Sequence, residues 1–252
     1  MRADISPDLT RALKTLRLGQ LLPTLPERLK IARERQLDPE DLLLTLLTDE
    51  IERRGHQRHR LRAREAGLDA GLVFDQWDPS ARITFDRRVF DELRLLRFVE
   101  EGHHALVIGP VGVGKTMIAH ALGHLAVLRN LSVTCATAER IFHDLRAARL
   151  DGSHERELRR LSTVRVLIID DLALCAMDGN ETSDLHAIIC ARHRRASMIV
   201  TSNREPSEWL GLLADPLQGQ ALVDRFVNSA YSLEIEGESY RKRQKPSVVR
   251  VR

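Results

Sequence analysis

The sequence predicts an α/β chain: a parallel sheet covered by helices on both faces, preceded by a small helical domain. Three observations predict it. Nearly continuous apolar runs recur at 105–108, 131–135, 164–169 and 197–201, as expected of parallel strands buried on both sides. Helical patterns at 115–129, 138–150 and 183–194 lie between and after them, and this alternation builds three layers. Before residue 70 there are no such runs, only leucines at helical spacing.

Residues 9–65 read as helical, with Leu9, Leu13, Leu16, Leu21, Leu22, Leu25 and Leu29 on a repeating face. Asp38, Pro39 and Glu40 mark a helix start, since proline suits the first turn and acids favour the positive end of the helix dipole. Leu42, Leu43, Leu46, Leu47 and Ile51 continue as an apolar stripe that thins to Leu61. Where the stripe fades, Arg53, Arg54, Arg58, Arg60, Arg62 and Arg64 gather with no acid among them. A helix that loses its apolar face while gaining arginines is expected to project from a core and to suit the phosphates of DNA. Gly67 and Gly71 end it. The expected division is therefore a helical domain over 1–70, a linker over 71–85, a nucleotide-binding domain over 86–240 and a basic tail over 241–252.

Composition narrows the class. Of 252 residues, 43% are hydrophobic, enough for a core, and 30% are charged. No run approaches the roughly 20 apolar residues that span a bilayer, so no membrane partner is expected. Asp4 and Asp8 sit where a secretion signal would be basic and apolar. Cys135, Cys175 and Cys190 form no CxxC pattern, which points to a reducing, cytoplasmic setting. The net charge of +3 is small, so the arginine-rich stretch and the tail are two basic patches on a nearly neutral body.

The chemistry begins after the run 105–108. Gly109, Pro110, Val111, Gly112, Val113, Gly114, Lys115 and Thr116 spell G-x-x-x-x-G-K-T between a strand and a helix. Glycines let backbone N–H groups wrap a polyphosphate, and the helix N-terminus adds positive potential. Lys115 is suited to the β- and γ-phosphates, and the Thr116 hydroxyl to Mg²⁺. ATP and Mg²⁺ are the expected ligands. The run 164–169 delivers Asp170 and Asp171 at its C-terminal end, where open α/β sheets bind ligands. Asp170 is suited to hold Mg²⁺ through water, and Asp171 to polarise the attacking water. Asn203 ends the run 197–201 and can orient water near a γ-phosphate. Arg225 and Arg241 are candidates for a guanidinium on the developing phosphoryl charge. His120 and His124 share a metal-ligand spacing but lack the glutamate of H-E-x-x-H, and read as structural.

Taken together, Gly109 to Thr116, Ile168-Ile169-Asp170-Asp171, Thr201-Ser202-Asn203-Arg204, Glu208-Trp209, Ala221-Leu222-Val223-Asp224-Arg225 and Gly237-Glu238-Ser239-Tyr240-Arg241 resemble the IstB family. The likeness extends over nearly the whole chain, including the leucine-rich helices that lead into Glu50, Arg53 and Arg54. It implies an AAA+ P-loop ATPase domain with a reduced or absent lid. It also implies an ATPase that oligomerises as a ring or helical filament on double-stranded DNA and assists the transposase of an insertion sequence. On that resemblance Asn203 would be the γ-phosphate sensor, Arg225 a finger in a neighbouring subunit's site, and Arg241 the second sensor. One position departs: many AAA+ proteins carry glutamate where this chain has Asp171, and the shorter side chain implies slow turnover.

Other readings share parts of this pattern. A helicase loader like DnaC has the same nucleotide chemistry. A small-molecule kinase would need an acceptor pocket under an arginine-rich lid, for which no segment is evident. A nucleotide-gated binding module with negligible turnover is compatible with Asp171.

Overall fold

The computed structural model describes residues 5–78 and 83–240. The chain parts into two compact units that divide between Leu61 and Arg62.

The N-terminal unit holds α1 (Pro7–Thr15), α2 (Leu25–Arg35) and most of α3 (Pro39–Glu65). The helical reading of 9–65 therefore breaks twice. After α1, Arg17 turns into the left-handed region at φ 57°, and Gln36 ends α2 in the same way at φ 52°. Ser6 caps α1 by accepting the Leu9 N–H. Leu21, Leu25, Ala32 and Leu46 are buried. The expected stripe on α3 is only partly inward. Leu43, Leu44, Leu47 and Ile51 are exposed.

The second unit carries β1 (Ile83–Thr84), α4 (Arg87–Leu95), α5 (Arg97–Glu100), β2 (His104–Ile108), α6 (Lys115–Leu128), β3 (Val133–Thr137), α7 (Ala138–Leu150) and α8 (His154–Thr163). It continues through β4 (Val166–Leu172), α9 (Gly179–Arg192), β5 (Ser197–Ser202), α10 (Pro206–Trp209), α11 (Pro216–Val227), β6 (Ala230–Glu234) and β7 (Glu236–Gly237). Five strands form one sheet in the order β3-β4-β5-β2-β6, and every pairing is parallel. β1 and β7 pair separately and antiparallel.

Successive side chains of a strand point to opposite faces, so each central strand feeds two cores. Ala105 and Val107 of β2 pack with Ile118 and Leu122 of α6. Leu106 and Ile108 pack with Leu145 of α7, Leu185 of α9 and Leu222 of α11. A fully buried Leu or Ile contributes roughly 1.5–3 kcal/mol by leaving water, which is why these runs tolerate so few polar residues.

Among the elements that the sequence reading lacked, two show why. β6 alternates polar and apolar residues because it is an edge strand with only Leu233 buried, and α8 presents one buried leucine, Leu161. The unit division also differs from the expected boundary near residue 70. Ala63, Ala66 and Leu68 are buried in the core around α6, and Cys135 N–H donates to Ala66 C=O at 2.7 Å. The end of α3 thus belongs to the second unit. The expected linker is partly built into that unit as well, since Phe74, Trp77, Ile83 and Phe85 pack on the same core.

Candidate nucleotide-binding site

The site lies at the C-terminal ends of β2, β4 and β5. The turn from β2 into α6 places three glycines in left-handed conformations: Gly109, Gly112 and Gly114. Two of them explain their residue type directly. A Cβ at Gly109 would run into the Ile235 carbonyl, and one at Gly112 (φ 87°) into the Ser239 side chain. The loop is thus a cradle held from both sides, with Tyr240 N–H donating to Gly112 C=O at 2.8 Å. Lys115 opens α6 and is buried, and its Nζ donates to Gly109 C=O and Pro110 C=O, each at 2.7 Å.

β4 bends as it reaches the site. The ladder with β5 runs Ile169 to Val200 and resumes at Leu172 with Ser202, so Asp170 and Asp171 form a bulge. Asp171 takes φ 57°, a conformation that costs a non-glycine residue about 1–2 kcal/mol and clusters at functional positions. Asp170 is buried. Its Oδ1 accepts the Thr116 hydroxyl at 3.2 Å and the Thr201 hydroxyl at 2.5 Å. Oxygen donors of this kind suit a hard cation such as Mg²⁺.

An open cavity of about 640 Å³ collects these groups. Val111 to Thr116, Asp171 and Asn203 line it, with Trp77 and Tyr240 among the further walls. That volume lies within the range of pockets that take a small ligand. The donor set, the cradle and the start of α6 fit a nucleoside polyphosphate with its cation. Trp77 is the wall that sequence reasoning misses, because it falls in the expected linker. The signal for it is a tryptophan in an otherwise polar stretch. The indole packs edge-on against Phe85 and tilted against Phe90. Trp209 is a brace rather than a wall: it is buried, and its Nε1 donates to Ser202 Oγ and Arg204 C=O, each at 3.2 Å. It thereby fixes the strand end that carries Asn203.

Other expected residues lie elsewhere. Arg225 is exposed on α11 and absent from the residues lining this cavity, and its guanidinium donates to Cys190 Sγ on α9. Arg241 falls outside the described residues. Among the six arginines of α3, three bond side chains or distant backbone, and Arg58 donates only to the Arg54 C=O of its own helix at 3.4 Å. Arg53 and Arg54 both donate to Glu50, which is 3% exposed. Their hydrogen bonds and charge hold its carboxyl at about 2 against an ordinary 4.5, although burial opposes the shift. Arg62 donates to Asn130 Oδ1 at 2.8 Å and Leu131 C=O at 2.9 Å. Arg58, Arg60 and Arg64 are exposed. His120 and His124 bond the Asp69 backbone, and among the described residues no group of three or more His, Cys, Asp or Glu side chains is placed to hold a metal. No helix among them is long and apolar enough to cross a membrane.

Comparison with known proteins agrees with this geometry. The family model for IstB-like ATP binding proteins matches residues 11–248. An insertion-sequence protein of Mycobacterium tuberculosis, named for ATP binding, is 34% identical over 95% of this chain and 96% of its own. A protein of insertion sequence IS21 from Pseudomonas aeruginosa, likewise named, is 32% identical over 92% of this chain and 88% of its own. Among solved structures, the replication initiator DnaA bound to AMPPCP and single-stranded DNA superimposes with a TM-score of 0.57. It has 20% identity and covers 68% of this chain and 51% of its own. The DnaC helicase loader gives a TM-score of 0.54 at 19% identity, covering 66% of this chain and 98% of its own. The fold is that of the AAA+ P-loop domains, and by sequence over nearly its whole length the chain belongs to the IstB-like ATP-binding proteins of insertion sequences.

Proposed function

We propose that this chain hydrolyses ATP with Mg²⁺, and that it does so as a homo-oligomer on double-stranded DNA, in the cytoplasm, to assist the transposase of its insertion sequence. The observation that carries the ATPase reading is the gathering of Lys115, Thr116, Asp171 and Asn203 round one cavity, with Asp170 hydrogen-bonded to Thr116. Lys115 turns from its loop carbonyls to the phosphates. Thr116 and Asp170 would hold the cation, which would neutralise phosphate charge. Asp171 accepts a proton from the attacking water, and Asn203 orients that water. Trp77 offers an aromatic face to the base. Arg225 completes a neighbour's site, and Arg241 acts at the end of the motif that begins at Gly237. The helical segment 1–70, with the arginines of α3, meets DNA or the partner protein.

The transposition reading is supported by the insertion-sequence relatives, which match far more of the sequence than DnaC does. The helicase-loader reading is favoured only by the shared fold. The identity of the neighbouring gene separates the two.

The test combines nucleotide binding with phosphate release in the presence of DNA. Lys115→Ala is expected to weaken ATP binding about 10–100-fold, the worth of a charge-assisted hydrogen bond. Asp171→Asn is expected to bind normally and to lose about 10²–10⁴-fold in turnover, because an amide is a poor proton acceptor. Wild-type turnover by Asp171→Asn would remove the base assignment. No turnover by the unaltered chain with DNA would leave a nucleotide-gated binding module.

A further inference from the structure

Thr201 is fully buried, and its hydroxyl touches both acids of β4. Its Oγ1 donates to Asp170 Oδ1 at 2.5 Å and accepts the Asp171 N–H at 2.8 Å. A hydroxyl has one hydrogen to give and two lone pairs to offer, so one small group serves both carboxylate-bearing residues. The ladder explains why it is needed. With Ile169 paired to Val200 and Leu172 to Ser202, the bulge carries the Asp171 amide out of the regular strand register. Leaving a buried N–H unsatisfied costs about 1–3 kcal/mol. The Thr201 side chain accepts it in place of a backbone carbonyl. Asp171 is thereby held in its left-handed conformation, facing the cavity. The same hydroxyl's hydrogen lies on the carboxylate oxygen that Thr116 also reaches, so Asp170 is held in one orientation between α6 and β5.

We infer that Thr201 is a positioning residue for the metal and water chemistry, fixing Asp170 and Asp171 together. Asn203 stands two places further along, just past the end of β5, so all three groups depend on one strand end. The inference rests on the ATPase reading above, and its test is arranged to separate the two.

Thr201→Val keeps the shape and removes the hydroxyl, while Thr201→Ser keeps the hydroxyl. A fluorescent ADP is titrated against each protein in EDTA and in Mg²⁺, and kcat and KM for ATP are measured alongside. Thr201→Val is expected to bind ADP in EDTA within about twofold of the unaltered chain. Its half-saturating Mg²⁺ concentration should rise about 10–100-fold, the usual effect of losing a ligand's supporting hydrogen bond. Its kcat should fall with KM little changed, and Thr201→Ser should restore both. Unaltered Mg²⁺ dependence and kcat in Thr201→Val would overturn the inference. Equal loss of binding with and without Mg²⁺, together with a lower Tm, would also overturn it by showing a merely structural role. If the valine variant does not fold, Thr201→Ala is judged by the same measurements. If the unaltered chain shows no turnover, the ATPase reading fails, and the Mg²⁺ midpoint of ADP binding still decides the role of Thr201.

Discussion

Gly112 shows how narrow the tolerance of this site is at the scale of one residue. It combines a left-handed φ of 87° with a carbonyl that accepts from Tyr240 and an α-carbon facing Ser239. Gly112→Ala must therefore strain the backbone and push the 235–240 segment off the phosphate loop. Affinity for a fluorescent ADP is expected to drop at least about tenfold, since strain of 1–2 kcal/mol alone accounts for that order. Gly55→Ala is the control. Gly55 lies within α3 with open space around its α-carbon, so alanine should leave affinity unchanged and raise stability by roughly 0.5–1 kcal/mol. Equal affinity for Gly112→Ala and the unaltered chain would contradict the bracket formed by Ser239 and Tyr240.

At the scale of one element, α3 sorts its arginines by what surrounds them. Arg53 and Arg54 neutralise a buried carboxylate, and Arg62 holds the loop after α6. Arg58, Arg60 and Arg64 are exposed and form the set suited to DNA phosphates. Replacing those three with alanine is expected to flatten the dependence of log affinity for duplex DNA on log salt, by about 0.9 for each phosphate no longer neutralised. Arg62→Ala should leave that slope unchanged and instead cost roughly 1–3 kcal/mol of stability by removing its bonds to a carbonyl and an amide, measured by denaturant unfolding. An unchanged slope in the triple variant would move the DNA-binding face to another surface. The sequence makes the arginine run plain, because charge is legible residue by residue. Which of its members are already engaged depends on Glu50, Asn130 and Leu131, and no helical periodicity predicts the last two.

At the scale of the whole molecule, the position of Arg225 decides what one chain can do alone. Its guanidinium is exposed on α11 and does not line its own cavity. On the proposed finger role, an arginine placed this way would act on a second copy. Arg225→Ala is expected to bind ATP nearly normally and to lose about 10³-fold or more in turnover. Mixing it with Lys115→Ala should restore part of the activity, since an intact arginine then faces an intact phosphate loop. Specific activity should also rise with protein concentration. Full activity of Arg225→Ala at low concentration would contradict a finger acting in trans.

The sequence alone determined the phosphate loop, the two acids of β4 and four of the five strands of the sheet. These depend on local chemistry: glycine for left-handed turns, and unbroken apolar runs for strands buried on both faces. Tertiary structure decided what local pattern cannot carry. It recruited Trp77 from an apparent linker and set Thr201 beneath both acids. It also placed the division between units inside a continuous helix and brought Ser239 and Tyr240 back across the loop at Gly112. Each of these joins residues far apart in the chain, and such pairings are set by the packing of strands and helices against one another, not by any property of the residues taken in order.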